Sequence, residues 1–168
     1  MAELGARIAR QMRAGDLVAL NGPLGAGKTT LTRGLGEALG IRGTVASPTF
    51  VLARTHPSAS GGAPLVHVDA YRLGSAAELD DLDIDFAASI VVVEWAEGML
   101  VGVSDSLLEL TIERPTGAGI QSTALTDPAL TDPALTDPAL FDPDDELIEP
   151  RRVTIRTSGP RWAAQPFQ

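Results

Sequence analysis

The sequence predicts a three-layer α/β domain: a mainly parallel sheet covered on both faces, finished by an antiparallel C-terminal hairpin. Three observations carry this. Short apolar runs recur at Leu17–Leu20 (LVAL), Leu65–Val68 (LVHV) and Ile90–Val93 (IVVV), as in strands buried on both sides. Segments that read as helices lie among them, the alternation that builds parallel sheets. Two late segments, LLELTIER (107–114) and RRVTIRT (151–157), alternate apolar and polar residues instead. That is the pattern of half-exposed strands, here expected as an antiparallel edge addition.

The elements follow in order. Leu4, Ile8 and Met12 fall at helical spacing and predict a first helix, with Arg7, Arg10 and Arg13 on a solvated side. Gly15-Asp16 breaks that pattern before the LVAL strand. After a glycine-rich loop, TTLTRGLGEALG (29–40) reads as a helix closed by Gly40. ASPTFVLAR (46–54) reads as a turn entering a strand, and HPSASGGAP (56–64) as a loop. Ser75 with Glu78 three residues on has the form of a capping box at the start of another helix.

At 168 residues the chain fits one domain. The expected organisation is a single domain over 1–162, interrupted at 116–149, with a tail at 163–168. The net charge of −9 belongs mostly to that interruption. Eight acids and no base lie between Pro115 and Pro150, leaving 14 acids against 13 bases elsewhere. The same stretch carries three copies of Thr-Asp-Pro-Ala-Leu. Proline every five residues breaks helix and central strand alike, so a disordered acidic insertion in the hairpin loop is expected.

Several function classes drop out. With no cysteine, disulfides, thiolate metal sites and cysteine nucleophiles are excluded. No apolar run approaches the roughly 20 residues of a membrane span, and the N-terminus lacks a signal-peptide core. A soluble, cytoplasmic protein is expected. There is also no basic stripe for gripping nucleic acid directly.

The chemistry gathers in Gly22-Pro-Leu-Gly-Ala-Gly-Lys28-Thr29, a full match to G-x-x-x-x-G-K-[ST] placed between an apolar strand and a helix. Such a loop turns backbone N–H groups inward around phosphate, and the helix N-terminus adds favourable potential. Leu24, Gly25, Ala26, Gly27, Lys28, Thr29 and Thr30 are the expected phosphate contacts. Lys28 would reach the β- and γ-phosphates, and the Thr29 hydroxyl would meet Mg²⁺. Lys28 is the only lysine, so the guanine-reading [NT]-K-x-D motif is impossible and ATP is the expected nucleotide.

A P-loop enzyme needs an acid beside its metal, and Asp69 and Glu94 both stand at strand ends. One could hold Mg²⁺ while the other orients water; either could instead cap a turn. Trp95 could pack in the core or face nucleotide or partner. His67 shares a strand side with Asp69 and reads as a buried structural histidine, or else a catalytic one. Tyr71 and Arg72 lie just past a strand, where ligand sites form on α/β sheets. Arg72 could meet γ-phosphate charge or form a surface ion pair. Thr49, within SPTF, could sense the γ-phosphate or sit in a simple turn.

Taken together, LGAGKTT, SPTF, HVDAYRL and VEWAEG, in this order and at these intervals, resemble the TsaE (YjeE) family of small P-loop ATPases. The resemblance spans about Leu4 to Thr157, apart from the repeats. It implies a P-loop NTPase fold, ATP hydrolysis with Mg²⁺, and a cytoplasmic complex with the TsaD and TsaB proteins. That complex forms N6-threonylcarbamoyladenosine at position 37 of tRNAs reading codons that begin with A. It further implies Lys28 and Thr29 on phosphate and Mg²⁺, Glu94 as a metal ligand and Asp69 as needed for hydrolysis. Thr49, Tyr71, Arg72 and Trp95 match other family positions. Family members usually carry a strand and a threonine ahead of the first helix, where this chain has Met1. Two other readings stay open: a small-molecule kinase, and a nucleotide-gated binding module without essential hydrolysis. The kinase reading lacks a lid arginine, since none occurs between Arg114 and Arg151.

Overall fold

Every residue of β1 (Leu17–Asn21) is buried, and the sheet is built outward from it. The computed structural model describes residues 1–48, 50–114, 150–164 and 167. Helix α1 (Ala2–Ala9) precedes β1, and α2 (Lys28–Ala38) follows it. Next come β2 (Ala53–His56), β3 (Leu65–Asp69), a 3-10 turn (Ala70–Arg72), α3 (Ala76–Asp80) and β4 (Ile90–Glu94). β5 (Leu107–Glu113), β6 (Arg152–Ser158) and α4 (Pro160–Ala164) complete the described elements.

The strand order is β2-β3-β4-β1-β5-β6. β1 lies parallel to both β4 and β5, and β3 lies parallel to β4. The strands carry the three layers through their period of two. Val18, Leu20, Leu65, Val92 and Leu110 join Ile8, Leu31 and Leu35 in a core on the α1–α2 side. Leu17, Ala19, Val66, Val68, Val91 and Val93 join Leu79 and Leu100 in a second core on the other face. Each fully buried Leu, Ile or Val contributes about 1.5–3 kcal/mol, so the three central strands are fixed from both faces.

Helices α1 and α2 cross in near backbone contact. A Cβ on Gly5 would overlap the Leu31 carbonyl, and one on Gly34 the Ala2 carbonyl. This approach presses α2, and the loop before it, against the sheet. At the other end, Arg161 Nε donates to Asp16 Oδ1 at 3.0 Å and Nη2 to the Gln11 carbonyl at 2.7 Å. That pair ties α4 to the entry of β1. Trp162 is buried in the first core, and its ring meets Phe167 edge-on. α4 reaches Ala164, and Phe167 packs against the first core.

The expected parallel sheet and C-terminal antiparallel pair are present, with two corrections. β2 and β3 are also antiparallel, giving the opposite edge the same character. The short loop between their ends cannot make a parallel crossover, which needs a dozen or more residues. β5 is not an edge addition: it pairs in parallel with β1, and only β6 reverses. The capping box does not form. Ser75 makes no side-chain cap bond, and Glu78 Oε1 accepts from the Gly74 amide at 3.0 Å. The repeat segment and Thr49 lie outside the described residues.

Candidate functional site

The loop Gly22–Gly27 connects the buried end of β1 to the first turn of α2. Gly22 has φ +145° and a Cβ there would strike the Ile112 carbonyl, so only glycine fits. Gly27 has φ +100°, and a Cβ there would lie 2.9 Å from Met1 Cγ. The first residue of the chain thus packs against the loop. Lys28 opens α2 and is 5% exposed, unusual for a lysine.

Its ammonium is satisfied from within the loop. Lys28 Nζ donates to the Gly22 carbonyl at 2.8 Å and the Pro23 carbonyl at 3.0 Å. The indole of Trp95 covers it, with Nζ 3.4 Å from the ring centroid. Burial lowers the lysine pKa from its ordinary value, while the negative charges of Glu94 and Asp69 act the other way. Trp95 reaches this position because its backbone takes φ +63°, and its N–H donates to the Leu20 carbonyl at 3.0 Å. Tyr71 braces the indole edge-on, with centroids 5.2 Å apart.

The two acids stand side by side. Parallel register places Asp69 of β3 opposite Glu94 of β4, each on the α2 side of its strand. Glu94 Oε1 lies 3.0 Å from Thr29 Oγ1 and 2.8 Å from His67 Nε2. Asp69 Oδ1 accepts from the Tyr71 amide at 3.0 Å and starts the 3-10 turn. It therefore caps a turn and faces the site at once.

These residues enclose a pocket of about 210 Å³, lined by Leu24, Gly25, Ala26, Gly27, Lys28, Thr29, Thr30, Ser47, Asp69, Glu94 and Trp95. Beyond Trp95 lies a second cavity of about 620 Å³, which Tyr71, Glu97, Glu109 and Arg156 help to line. Tyr71 thus belongs to the neighbouring space, and Arg72 lines neither. Two further residues were not singled out from sequence. Ser47 joins the pocket wall. Arg114 brings Nη1 to 3.4 Å from where a Cβ on Gly25 would sit. Its signal was position: the residue after a parallel strand that neighbours β1 belongs at the ligand-binding edge.

The donor set suits a nucleotide with Mg²⁺. A helix N-terminus faces the pocket, and Thr29 and Glu94 offer the hard oxygen ligands Mg²⁺ prefers.

The model of the family "Threonylcarbamoyl adenosine biosynthesis protein TsaE" matches residues 1–121. The chain belongs to the TsaE family. A Streptomyces coelicolor protein named tRNA threonylcarbamoyladenosine biosynthesis protein TsaE is 49% identical over 166 residues, covering 97% of this chain and 94% of that protein. A Bacillus subtilis protein of the same name is 39% identical over 103 residues, 60% of this chain and 63% of its own length. The crystal structure of Bacillus subtilis YdiB superposes with a TM-score of 0.54 at 32% identity, covering 69% of this chain and 71% of that one. The TsaE family is thereby tied to tRNA threonylcarbamoyladenosine biosynthesis, and the α/β sheet to the P-loop NTPase fold. Among the described residues no helix is long and apolar enough to cross a membrane.

Proposed function

We propose that this TsaE-family chain is a Mg²⁺-dependent ATPase. Together with the TsaD and TsaB proteins, it would serve formation of N6-threonylcarbamoyladenosine at position 37 of tRNAs reading codons that begin with A. The observation that carries the reading is the convergence of Lys28, Thr29, Asp69 and Glu94 on one pocket at the mouth of the glycine loop.

The residues divide the work. Loop amides and the α2 N-terminus bind the phosphates, and Lys28 turns from the Gly22 and Pro23 carbonyls toward them. Thr29 Oγ1 and the Glu94 carboxylate would hold Mg²⁺, which would supply charge neutralisation for the phosphates. Asp69, whose Oδ1 accepts from the Tyr71 amide, would orient the attacking water and take its proton. Water adds to the γ-phosphorus as the bond to the β-phosphate oxygen breaks, giving ADP and phosphate. Trp95 covers the lysine ammonium, a contact that must give way before phosphate is bound, which supports slow turnover alone.

Exposed apolar side chains support a partner-dependent activity. Leu24 in the loop, Phe50 and Val51 just after Pro48, and Tyr71 beside Trp95 are 85%, 93%, 55% and 70% exposed. Large apolar groups clustered on segments that carry the site suit a protein interface. The domain outside the acidic segment is close to neutral, which supports tRNA being held by the partners.

The test is phosphate release measured with and without TsaD and TsaB. Low basal turnover that rises on adding both, and that Lys28→Ala abolishes, supports the proposal. Partner-independent phosphorylation of an added metabolite would replace it with a kinase. Nucleotide binding with no phosphate release under any condition would leave a binding module.

A further inference from the structure

Glu94 is held by a histidine that lies outside the phosphate loop. His67 sits on β3, is 0% exposed, and brings Nε2 to 2.8 Å from Glu94 Oε1. Parallel register pairs His67 with Val92 and Asp69 with Glu94. The imidazole thus lies one step below the two acids on the α2 face, and does not line the pocket that Asp69 and Glu94 line. Thr29 Oγ1 donates to the same Oε1. Both bonds fall on one oxygen, which leaves Oε2 for a ligand.

An ionised carboxylate only accepts hydrogen bonds, so His67 carries its hydrogen on Nε2. Nδ1 is then an acceptor, and it is buried without a partner. An unsatisfied nitrogen is a poor choice for mere space-filling on the face that also carries Leu65 and Val92, which are fully buried and apolar. The bond to Glu94 is what the imidazole supplies. Lys28 feels the charge of Glu94, yet gives its hydrogen bonds to the Gly22 and Pro23 carbonyls. A carboxylate released from His67 could swing onto that ammonium and close the phosphate site.

We propose that His67 is the positioning residue of this site: it tethers Glu94 so that the carboxylate stays beside Thr29 and available to Mg²⁺ rather than collapsing onto Lys28. This rests on the Mg²⁺-dependent ATPase reading. The tether itself is a bond between two side chains of this chain and can be tested without that reading.

The test uses the full chain with His67→Leu and His67→Gln, the second of which keeps a side-chain donor. In the nucleotide-free protein, long-range ¹H–¹⁵N spectra should show His67 protonated at Nε2 and bare at Nδ1, with signals that Glu94→Gln displaces. Mn²⁺ retention with a non-hydrolysable ATP analogue, read by electron paramagnetic resonance, should weaken roughly tenfold or more in His67→Leu. Metal-free nucleotide affinity should stay within about twofold, and His67→Gln should recover most of the loss. Hydrolysis should show the deficit in kcat more than in KM. A His67 proton on Nδ1, wild-type Mn²⁺ retention in His67→Leu, or no recovery in His67→Gln would overturn the proposal. So would a loss of metal-free nucleotide affinity in proportion, because the damage would then be to the loop. If His67→Leu does not fold, the tautomer and His67→Gln decide. A wild-type protein that retains no Mn²⁺ yet shows the tether would overturn the ATPase reading and the positioning role, leaving a structural hydrogen bond.

Discussion

The Lys28 ammonium sits 3.4 Å from the centre of the Trp95 indole while it donates to the Gly22 and Pro23 carbonyls. A desolvated cation on a tryptophan face is worth about 2 kcal/mol. Phosphate must outcompete that contact, and the indole must leave when it does. Adding ATP with Mg²⁺ should therefore change tryptophan emission, and Trp95→Phe should remove the change. Trp162, on α4, is buried in the first core and should contribute none of it. Unchanged emission at saturating nucleotide would mean that the indole stays in place.

Glu94→Gln keeps the size of the side chain and an acceptor for His67 and Thr29 but removes the charge. The Mg²⁺ concentration for half-maximal hydrolysis should rise by about tenfold or more, with a Tm near that of the wild type. A Mg²⁺ titration of phosphate release checks this. A superimposable curve would remove Glu94 from the metal site.

Gly5→Ala and Gly34→Ala should each force α1 from α2, because the added methyl meets backbone rather than a movable side chain. A cost of about 1–3 kcal/mol is expected, or roughly 2–12 °C in Tm at this chain length. Thermal unfolding followed by circular dichroism reads it directly. An unshifted Tm would show that the helices separate freely.

Burial, then the neighbouring His67 and Arg54, lowers the His56 pKa below its ordinary 6.5. The unfolded chain therefore takes up the proton first as pH falls. His56 costs no stability above about pH 6.5, and the folded protein loses stability progressively below it. Tm measured at pH 7.5 and 5.5 should fall by less in His56→Leu than in the wild type. An equal fall in both would show that His56 contributes nothing to acid sensitivity.

Much of this site was legible before any coordinates. The glycine loop, Lys28 and Thr29 declare themselves because their spacing encodes a backbone shape. Asp69 and Glu94 were legible as acids ending apolar strands, and parallel register puts them side by side. What the sequence did not disclose depends on register and rotamers. The Lys28–Trp95 contact requires a tryptophan at positive φ, a conformation no local preference favours. The tie from His67 to Glu94 exists only because β3 and β4 are neighbours, a tertiary fact. Arg114 was missed for the same reason: an alternating pattern marks a half-exposed strand but not which strand it joins. The capping box failed because Glu78 found the Gly74 amide instead of the cap.

The central place of β1 has a consequence for how the protein is made. On the ribosome, Leu17 must wait for Val91 before its parallel neighbour exists, and Val18 must wait for Leu108. Pairings so distant along the chain form slowly. The phosphate loop, emitted early, is thus completed only after β4 and β5 have been made, and until then an apolar strand stays open to wrong partners. Variants that weaken β4 or β5 should lower the yield of soluble protein more than their effect on the finished fold suggests.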